Sequence, residues 1–406
     1  MDLSVKRVLL SDGKLVLKLA RGKPEGIVID EVQAEVQDVS KTSVMPLTLS
    51  AALPAGGKLQ LDGKAGPISS GSLTITPLEA KLSIEALDLE KSGFVPASAA
   101  VRGIVTFGGT VLSKAGVAIA AGKLTVNRLQ VGANAKPAPT PVELSYSMEH
   151  NLSTHAGSLK ESEVRAGTAA ARLGGQYRLD PQGTLLDMSL TGKQMPVNEI
   201  AALLPAFGVV LPAGATLKDG TLSFSAKSAG STSRLLSTGN VSVENSRVAG
   251  YSLSSGIATA AQLAGLQLGP DTPIAHFRAN FQNSPEMSRL DGIDLVVPDL
   301  GTVTGAISLD ARQNLSGRLI AKVQVKGGLS GAAMQKAGGT AEGTMTVPVM
   351  VSGTAAAPKL SADTKALAAD AAATAASKAI EKYVPGSTAS SVGTLVEGLL
   401  GGKKKK

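Results

Sequence analysis

The sequence predicts a mainly β protein. It would form an elongated, curved antiparallel sheet, an open groove or taco-like, with short helices and an Ala-rich C-terminal helix. Three observations carry this expectation. Apolar and polar residues alternate from the start of the chain to about residue 352, the pattern of strands with one apolar and one wet face. Turn residues punctuate the alternation. Segments long enough for helical crossovers are mostly missing, so neighbouring strands should run antiparallel.

Taken in order, Val32, Ala34 and Val36 face one way and Glu31, Gln33, Glu35 and Gln37 the other. Leu82, Ile84 and Ala86 oppose Lys81, Ser83 and Glu85; Val142, Leu144, Tyr146 and Met148 oppose Glu143, Ser145, Ser147 and Glu149. The same pattern sets Leu222, Phe224 and Ala226 against Thr221, Ser223, Ser225 and Lys227. It sets Leu319, Ala321, Val323 and Val325 against Arg318, Lys322 and Gln324, and recurs at Met345, Val347, Val349 and Val351. Ser11-Asp12-Gly13-Lys14, Asp62-Gly63, Asp180-Pro181-Gln182-Gly183 and Lys218-Asp219-Gly220 read as turns, because Asp and Gly tolerate turn conformations. Asn198 to Leu204 reads as a short helix capped by Asn198 and stopped by Pro205. Ser254 to Leu266 is a second helix candidate, and Ser361 to Tyr383, rich in Ala with Lys378 and Lys382 near its end, a third.

These elements divide the chain into an N-terminal antiparallel β segment (1–132), a Pro-rich connector (133–141), a C-terminal β region (142–360) and a helical segment with a lysine tail (361–406). The connector either separates domains or loops between segments of one continuous sheet.

Composition narrows the chemistry. The 406 residues include no Cys and no Trp, 2% aromatic residues, 3 His and 46 Gly. Absence of Cys excludes a disulfide framework, thiolate zinc sites, iron–sulfur clusters and a Cys nucleophile. The net charge is +8, but Lys403, Lys404, Lys405 and Lys406 supply half of it. The rest is a balanced, solvated surface without stacking platforms, which argues against nucleic acid as a partner. No Gly-Lys pair is followed by Ser or Thr, so no phosphate-binding loop is present. His150 and His155 are five apart, which on one strand puts them on opposite faces, and His276 shares a polar face with Arg278 and Asn280. All three read as surface or rim histidines. Asp30-Glu31 and Asp88 with Glu90 read as wet-face charges. Asp291, Asp294, Asp299 and Asp310 form a loose acidic run without the order of a calcium loop. The expectation is a non-enzymatic protein without catalytic residues, metal or cofactor.

Met1 is followed by Asp2, Lys6 and Arg7, with no apolar leader. Ile200 to Leu217 is uncharged except for its flanks, but Pro205, Gly208, Pro212 and Gly214 interrupt it, so it does not read as a spanning helix.

A sheet with one apolar face must cover it by packing, by closing into a barrel, or by presenting it as a groove. Aliphatic side chains in a groove would solvate acyl chains, and a strand of about seven residues spans roughly 23 Å. The candidate contact residues are Leu59, Leu61, Leu82 and Ile84 upstream, and Leu222, Phe224, Phe277, Phe281, Val323 and Val325 downstream. A filled core fits the same alternation. Lys403 to Lys406 are candidates for anionic headgroups or a solubilised chain end.

An ordered series carries a resemblance. It runs from Asn198-Glu199-Ile200 through Leu204-Pro205-Ala206-Phe207-Gly208, then Leu217-Lys218-Asp219-Gly220-Thr221-Leu222 and Gly239-Asn240-Val241-Ser242-Val243. It continues with Leu290-Asp291-Gly292-Ile293-Asp294-Leu295, Val347-Pro348-Val349 and Ala357-Pro358-Lys359-Leu360, the Ala-rich segment and the lysines. Over about residues 195–406 the chain resembles the AsmA-like family of bacterial envelope proteins. The resemblance implies outer-membrane biogenesis, with phospholipid transfer across the periplasm, and phospholipid or membrane surface and envelope proteins as partners. It implies a periplasmic β region behind an inner-membrane anchor, and this sequence contains no such anchor. No catalytic residues come with it. The rival expectation is a structural or assembly factor for outer-membrane proteins without a lipid path. A lipid or glycan hydrolase is a third, which the empty motif search opposes.

Overall fold

A computed structural model of the chain describes residues 4–18, 26–68, 75–180, 183–212, 214–250, 270–298, 300–324 and 344–363. The protein is mainly β, a long open antiparallel sheet with few short helices. The first strands are β1 (Val5–Leu17), β2 (Ile27–Val39), β3 (Met45–Ala52), β4 (Lys58–Ala65) and β5 (Leu78–Asp88). They are followed by α1 (Leu89–Ser92), β6 (Val101–Lys114), β7 (Val117–Val131), β8 (Val142–Asn151), β9 (Ala156–Ala166), β10 (Ala169–Arg178) and β11 (Leu185–Pro196). Next come α2 (Val197–Leu203), β12 (Thr216–Lys218), β13 (Thr221–Ser231), β14 (Leu236–Ala249), β15 (Thr272–Asn283) and β16 (Met287–Val297). The last described strands are β17 (Gly301–Asp310), β18 (Leu315–Gln324), β19 (Thr344–Thr354) and β20 (Ala357–Ala362).

Residues 1–211, 216–247 and 279–288 form one compact unit; 212–215, 248–278 and 289–406 form the other. In the first, each strand from β1 to β11 pairs antiparallel with the next, and β11 continues through β13 to β14. Residues 133–141 connect β7 to β8, which pair directly, and Ala138 within them is 4% exposed. In the second unit β17, β18, β19 and β20 pair in sequence. Val297, Leu300, Ala321, Val323, Val347 and Val349 make its buried cluster. Among the described residues no helix is long and apolar enough to cross a membrane.

Side-chain alternation does not persist unbroken. Asp12, Glu31, Ala86, Arg128, Glu161 and Gln194 all take positive φ, from 49° to 55°. Each lies where the pairing register shifts. Such a bulge adds one residue and bends the strand. The apolar series therefore steps by three across it: Ile29 to Val32, Ile84 to Leu87, Val126 to Leu129. All six of these residues belong to one cluster, so the extra residue keeps both halves of each strand on the same face. Ala86, which simple alternation puts on the apolar face, is instead exposed.

Two of the expected turns are strand interior. Residues 11–14 lie within β1, where Asp12 is the bulge. Asp62 and Gly63 lie within β4, paired to Thr48 and Leu47 on one side and Lys81 and Ala80 on the other. Gly63 suits that strand because a Cβ there would run into the Glu79 carbonyl oxygen. The predicted turn at 218–220 connects β12 to β13. Of the one predicted at 180–183, the Asp180 carbonyl accepts a hydrogen bond from the Gly183 N–H between β10 and β11, and residues 181–182 lie outside the described residues.

The helix ends also differ from expectation. Asp88 caps α1, accepting hydrogen bonds from the Glu90 and Lys91 backbone N–H groups at 3.1 Å each, and is not a plain wet-face charge. Asn198 lies inside α2 and caps nothing; Pro196 occupies the cap position, and the Val197 N–H donates to the Gly220 carbonyl. Ser361 and Ala362, expected to open the C-terminal helix, pair with Met350 and Val349 in β20. Residues 254–266 and the rest of 361–406 lie outside the described residues.

Helix α2 is tied to the β9–β10 turn by one side chain. The Glu199 carboxylate accepts from the Thr168 N–H at 2.7 Å, the Thr168 hydroxyl at 2.9 Å and the Ala169 N–H at 2.8 Å. These donors, the Thr168 hydroxyl foremost, hold its pKa below the ordinary carboxylate range. A lowered folded pKa means that the clamp is complete at neutral pH and is lost as pH falls through that lowered value. Glu199→Ala should speed hydrogen exchange at the Thr168 and Ala169 amides at neutral pH roughly tenfold. Acidification of the parent protein should produce the same change. Unaltered exchange in both cases would show that the clamp does not hold α2.

Candidate functional site

Directly opposed residues of an antiparallel pair share a face, so the registers define rows running across the first unit. One row links Ala51, Leu59, Ile84, Phe107, Leu124 and Leu144. It continues through Val164, Ala171, Gly192, Phe224 and Val241. Every residue in this row, from β3 to β14, is apolar or Gly. A neighbouring row on the same face runs Leu10, Ala34, Leu49, Leu61, Leu82 and Gly109.

The two ends of the strands are treated differently. Leu87, Val105, Val126, Ala166 and Ala169 are 7%, 5%, 7%, 6% and 3% exposed. Leu89 of α1 and Phe94 pack on the cluster that holds Leu87, Val105 and Val126. Ile200 of α2 packs on Ala169 and Met195. The helices therefore seal this end. Away from it, Leu59, Leu61, Leu82, Ile84, Phe107, Leu124 and Leu144 are only half-buried.

Several of the rings lie across glycines. Tyr146 on β8 stacks on Phe107 of β6 with centroids 5.8 Å apart. A Cβ on the intervening Gly122 would come within 2.9 Å of the Tyr146 hydroxyl, and one on Gly109 within 2.7 Å. Tyr177 on β10 likewise stacks on His150 of β8, at 5.7 Å, over Gly157 of β9. Phe281 sits on Gly239 within the same unit. A ring over a glycine fills the space of the missing side chain, which keeps the apolar face low. Burial pushes the Tyr146 and Tyr177 phenols up from their ordinary pKa.

The expected contact residues thus fall into distinct settings. Leu59, Ile84 and Phe224 lie on the long row; Leu61 and Leu82 lie on its neighbour. Leu222 faces Met195 and Val243 and packs on the cluster beside α2. Phe277 and Phe281 on β15 are half-buried. Val323 is 1% exposed within the Val297–Leu300–Val347 cluster, so it is core and touches no surface. Val325 and Lys403 to Lys406 lie outside the described residues.

The opposite face is mostly polar and cross-linked by exposed ion pairs, although Leu9, Leu112 and Ile119 stand exposed on it. Lys64 and Glu79 approach to 3.0 Å, Lys123 and Glu143 to 2.8 Å, Lys160 and Glu149 to 2.9 Å. A shallow depression of about 770 Å³ on this face is lined by Gln33, Glu35, Gln60, Asp62, Lys81 and Ser83. It brings together no set of groups with a chemical task. Asp291 pairs with Arg289 at 2.7 Å, His276 meets Asp294 at 3.2 Å, and Asp310 accepts from Asn314 within its own turn. Asp291, Asp294 and Asp310 are thus engaged locally rather than converging, and Asp299 lies outside the described residues. His150 is half-buried near the end of β8 on the apolar face, with Nδ1 3.1 Å from the Tyr177 hydroxyl. His155 occupies the turn between β8 and β9.

Leu61 and Val323 obey the same alternation but should respond differently to a charge. Leu61→Asp should cost no more than about 1–2 kcal/mol, since half-buried aliphatic area is lost without a sealed charge. Val323→Asp should cost about 4 kcal/mol or more, because it buries an unpaired carboxylate. Urea unfolding of the two variants checks this; equal costs would mean that the row through Leu61 is closed core. No protein-family model, curated protein or solved structure matches the chain.

Proposed function

We propose that the protein is a non-enzymatic carrier of phospholipid, holding acyl chains on the apolar face of its first unit. The carrying observation is the registered apolar row from Ala51 to Val241, half-buried along most of its length and sealed only at the helix end. Packing a core would require a second layer over that face, and soluble surfaces rarely leave large apolar patches unused. Flexible acyl chains suit such a row, because aliphatic contact is non-directional and needs no polar handle. Ion pairs keep most of the other face wet, so lipid would meet chiefly the side that carries the continuous apolar rows.

The envelope setting follows the resemblance in sequence to AsmA-like proteins. On that reading the chain works in the periplasm and moves phospholipid between inner and outer membrane. A membrane surface and envelope proteins are its partners.

Native mass spectrometry of the purified chain should detect bound phospholipid. Mixing donor and acceptor vesicles with the protein should accelerate exchange of a fluorescent phospholipid. Leu82→Asp should reduce both by about tenfold, while unfolding at nearly the parent urea concentration. Absence of bound lipid together with absence of transfer would contradict the proposal and favour a scaffold or assembly factor.

A further inference from the structure

Near one end of the strands the apolar face carries a polar row. In register across β6 to β10 stand Ser113, Ala118, His150, Gly157 and Tyr177. The polar side chains occupy alternate strands, with only Ala118 and Gly157 between them, so no bulky side chain separates them. Tyr177 lies over Gly157, with its hydroxyl 3.1 Å from His150 Nδ1. Ser113 is 5% exposed, and its hydroxyl has no hydrogen-bond partner. A buried, unpaired hydroxyl is costly; on an aliphatic face it is explained if a ligand supplies the acceptor.

We propose that this row is a polar subsite for the ester and phosphate end of a glycerophospholipid. The inference rests on the lipid-carrier reading and adds an orientation to it. The His150–Tyr177 bond uses one proton, leaving either the imidazole Nε2–H or the tyrosine O–H to donate elsewhere. Together with the Ser113 hydroxyl this gives two donors for groups that only accept. The subsite lies at the strand ends away from α1 and α2. From Ser113 to Phe107, on the long apolar row, six residues along β6 span about 20 Å. One leaflet of hydrocarbon is about 15 Å deep, so acyl chains running from the subsite toward the sealed end fit the intervening rows.

The test compares the full chain with Ser113→Ala/Tyr177→Phe, a double variant that removes two hydroxyls without adding bulk. Each is incubated with vesicles of equal parts phosphatidylethanolamine and phosphatidylglycerol, and separately with hexadecane, then re-isolated for quantification of bound ligand. The variant should retain about tenfold less phospholipid, the parent amount of hexadecane, and a thermal midpoint for Ser113→Ala alone no lower than the parent's. Unchanged phospholipid retention would overturn the subsite and leave the carrier reading standing. Equal loss of phospholipid and hexadecane would also overturn it, since the row would then support the fold rather than the headgroup. Binding of neither ligand by the parent would overturn both.

Discussion

The two-residue side-chain period of a β-strand governs the whole molecule. One unpaired insertion flips every later side chain to the opposite face. Long strands such as β2, β5, β7 and β11 nevertheless keep their apolar residues on one side from end to end. They do so by absorbing an extra residue at Glu31, Ala86, Arg128 and Gln194 in a left-handed conformation. The bulge moves the parity error into a single exposed residue and bends the strand. Without those bulges Ile29 and Val32, or Ile84 and Leu87, would lie on opposite faces, and the apolar rows would end midway.

Composition takes its meaning from that constraint. The 46 Gly and the scarcity of rings work together, because several rings on the apolar face rest where a glycine leaves room. Tyr146 over Gly122 and Tyr177 over Gly157 fill gaps instead of standing up from the sheet. The remaining relief is aliphatic. The helices and their flanking segments close one end, with Glu199 fastening α2 to the β9–β10 turn. The same sheet therefore offers a sealed end and a half-buried expanse.

Much of the fold was legible in the sequence, and its limits have physical causes. Alternation at Val142–Met148 and Leu222–Ala226 identified strands and faces because a half-buried strand writes its period directly. The bulges escaped that reading, although adjacent polar residues such as Asp30-Glu31 and Lys193-Gln194 mark several of them. Asp12 and Gly63 looked like turns because the residues that tolerate turns also tolerate bulges and close backbone approach. The candidate surface was only partly legible. Leu61 and Val323 alternate alike, but the turn bearing Val297 and Leu300 buries only Val323. The alignment of Ser113, His150 and Tyr177 depends on pairing registers, which a single strand's pattern does not encode.

The central claim is that lipid lies on one face alone. The most direct measurement uses vesicles containing a phospholipid with a photoactivatable group in its acyl chain, followed by irradiation with the full-length protein and peptide mapping. The account predicts labels on Leu59, Leu82, Ile84 and Leu124, and none on Lys58, Lys81, Glu85 or Lys123. Equal labelling of both sets, or labelling of neither, would contradict it.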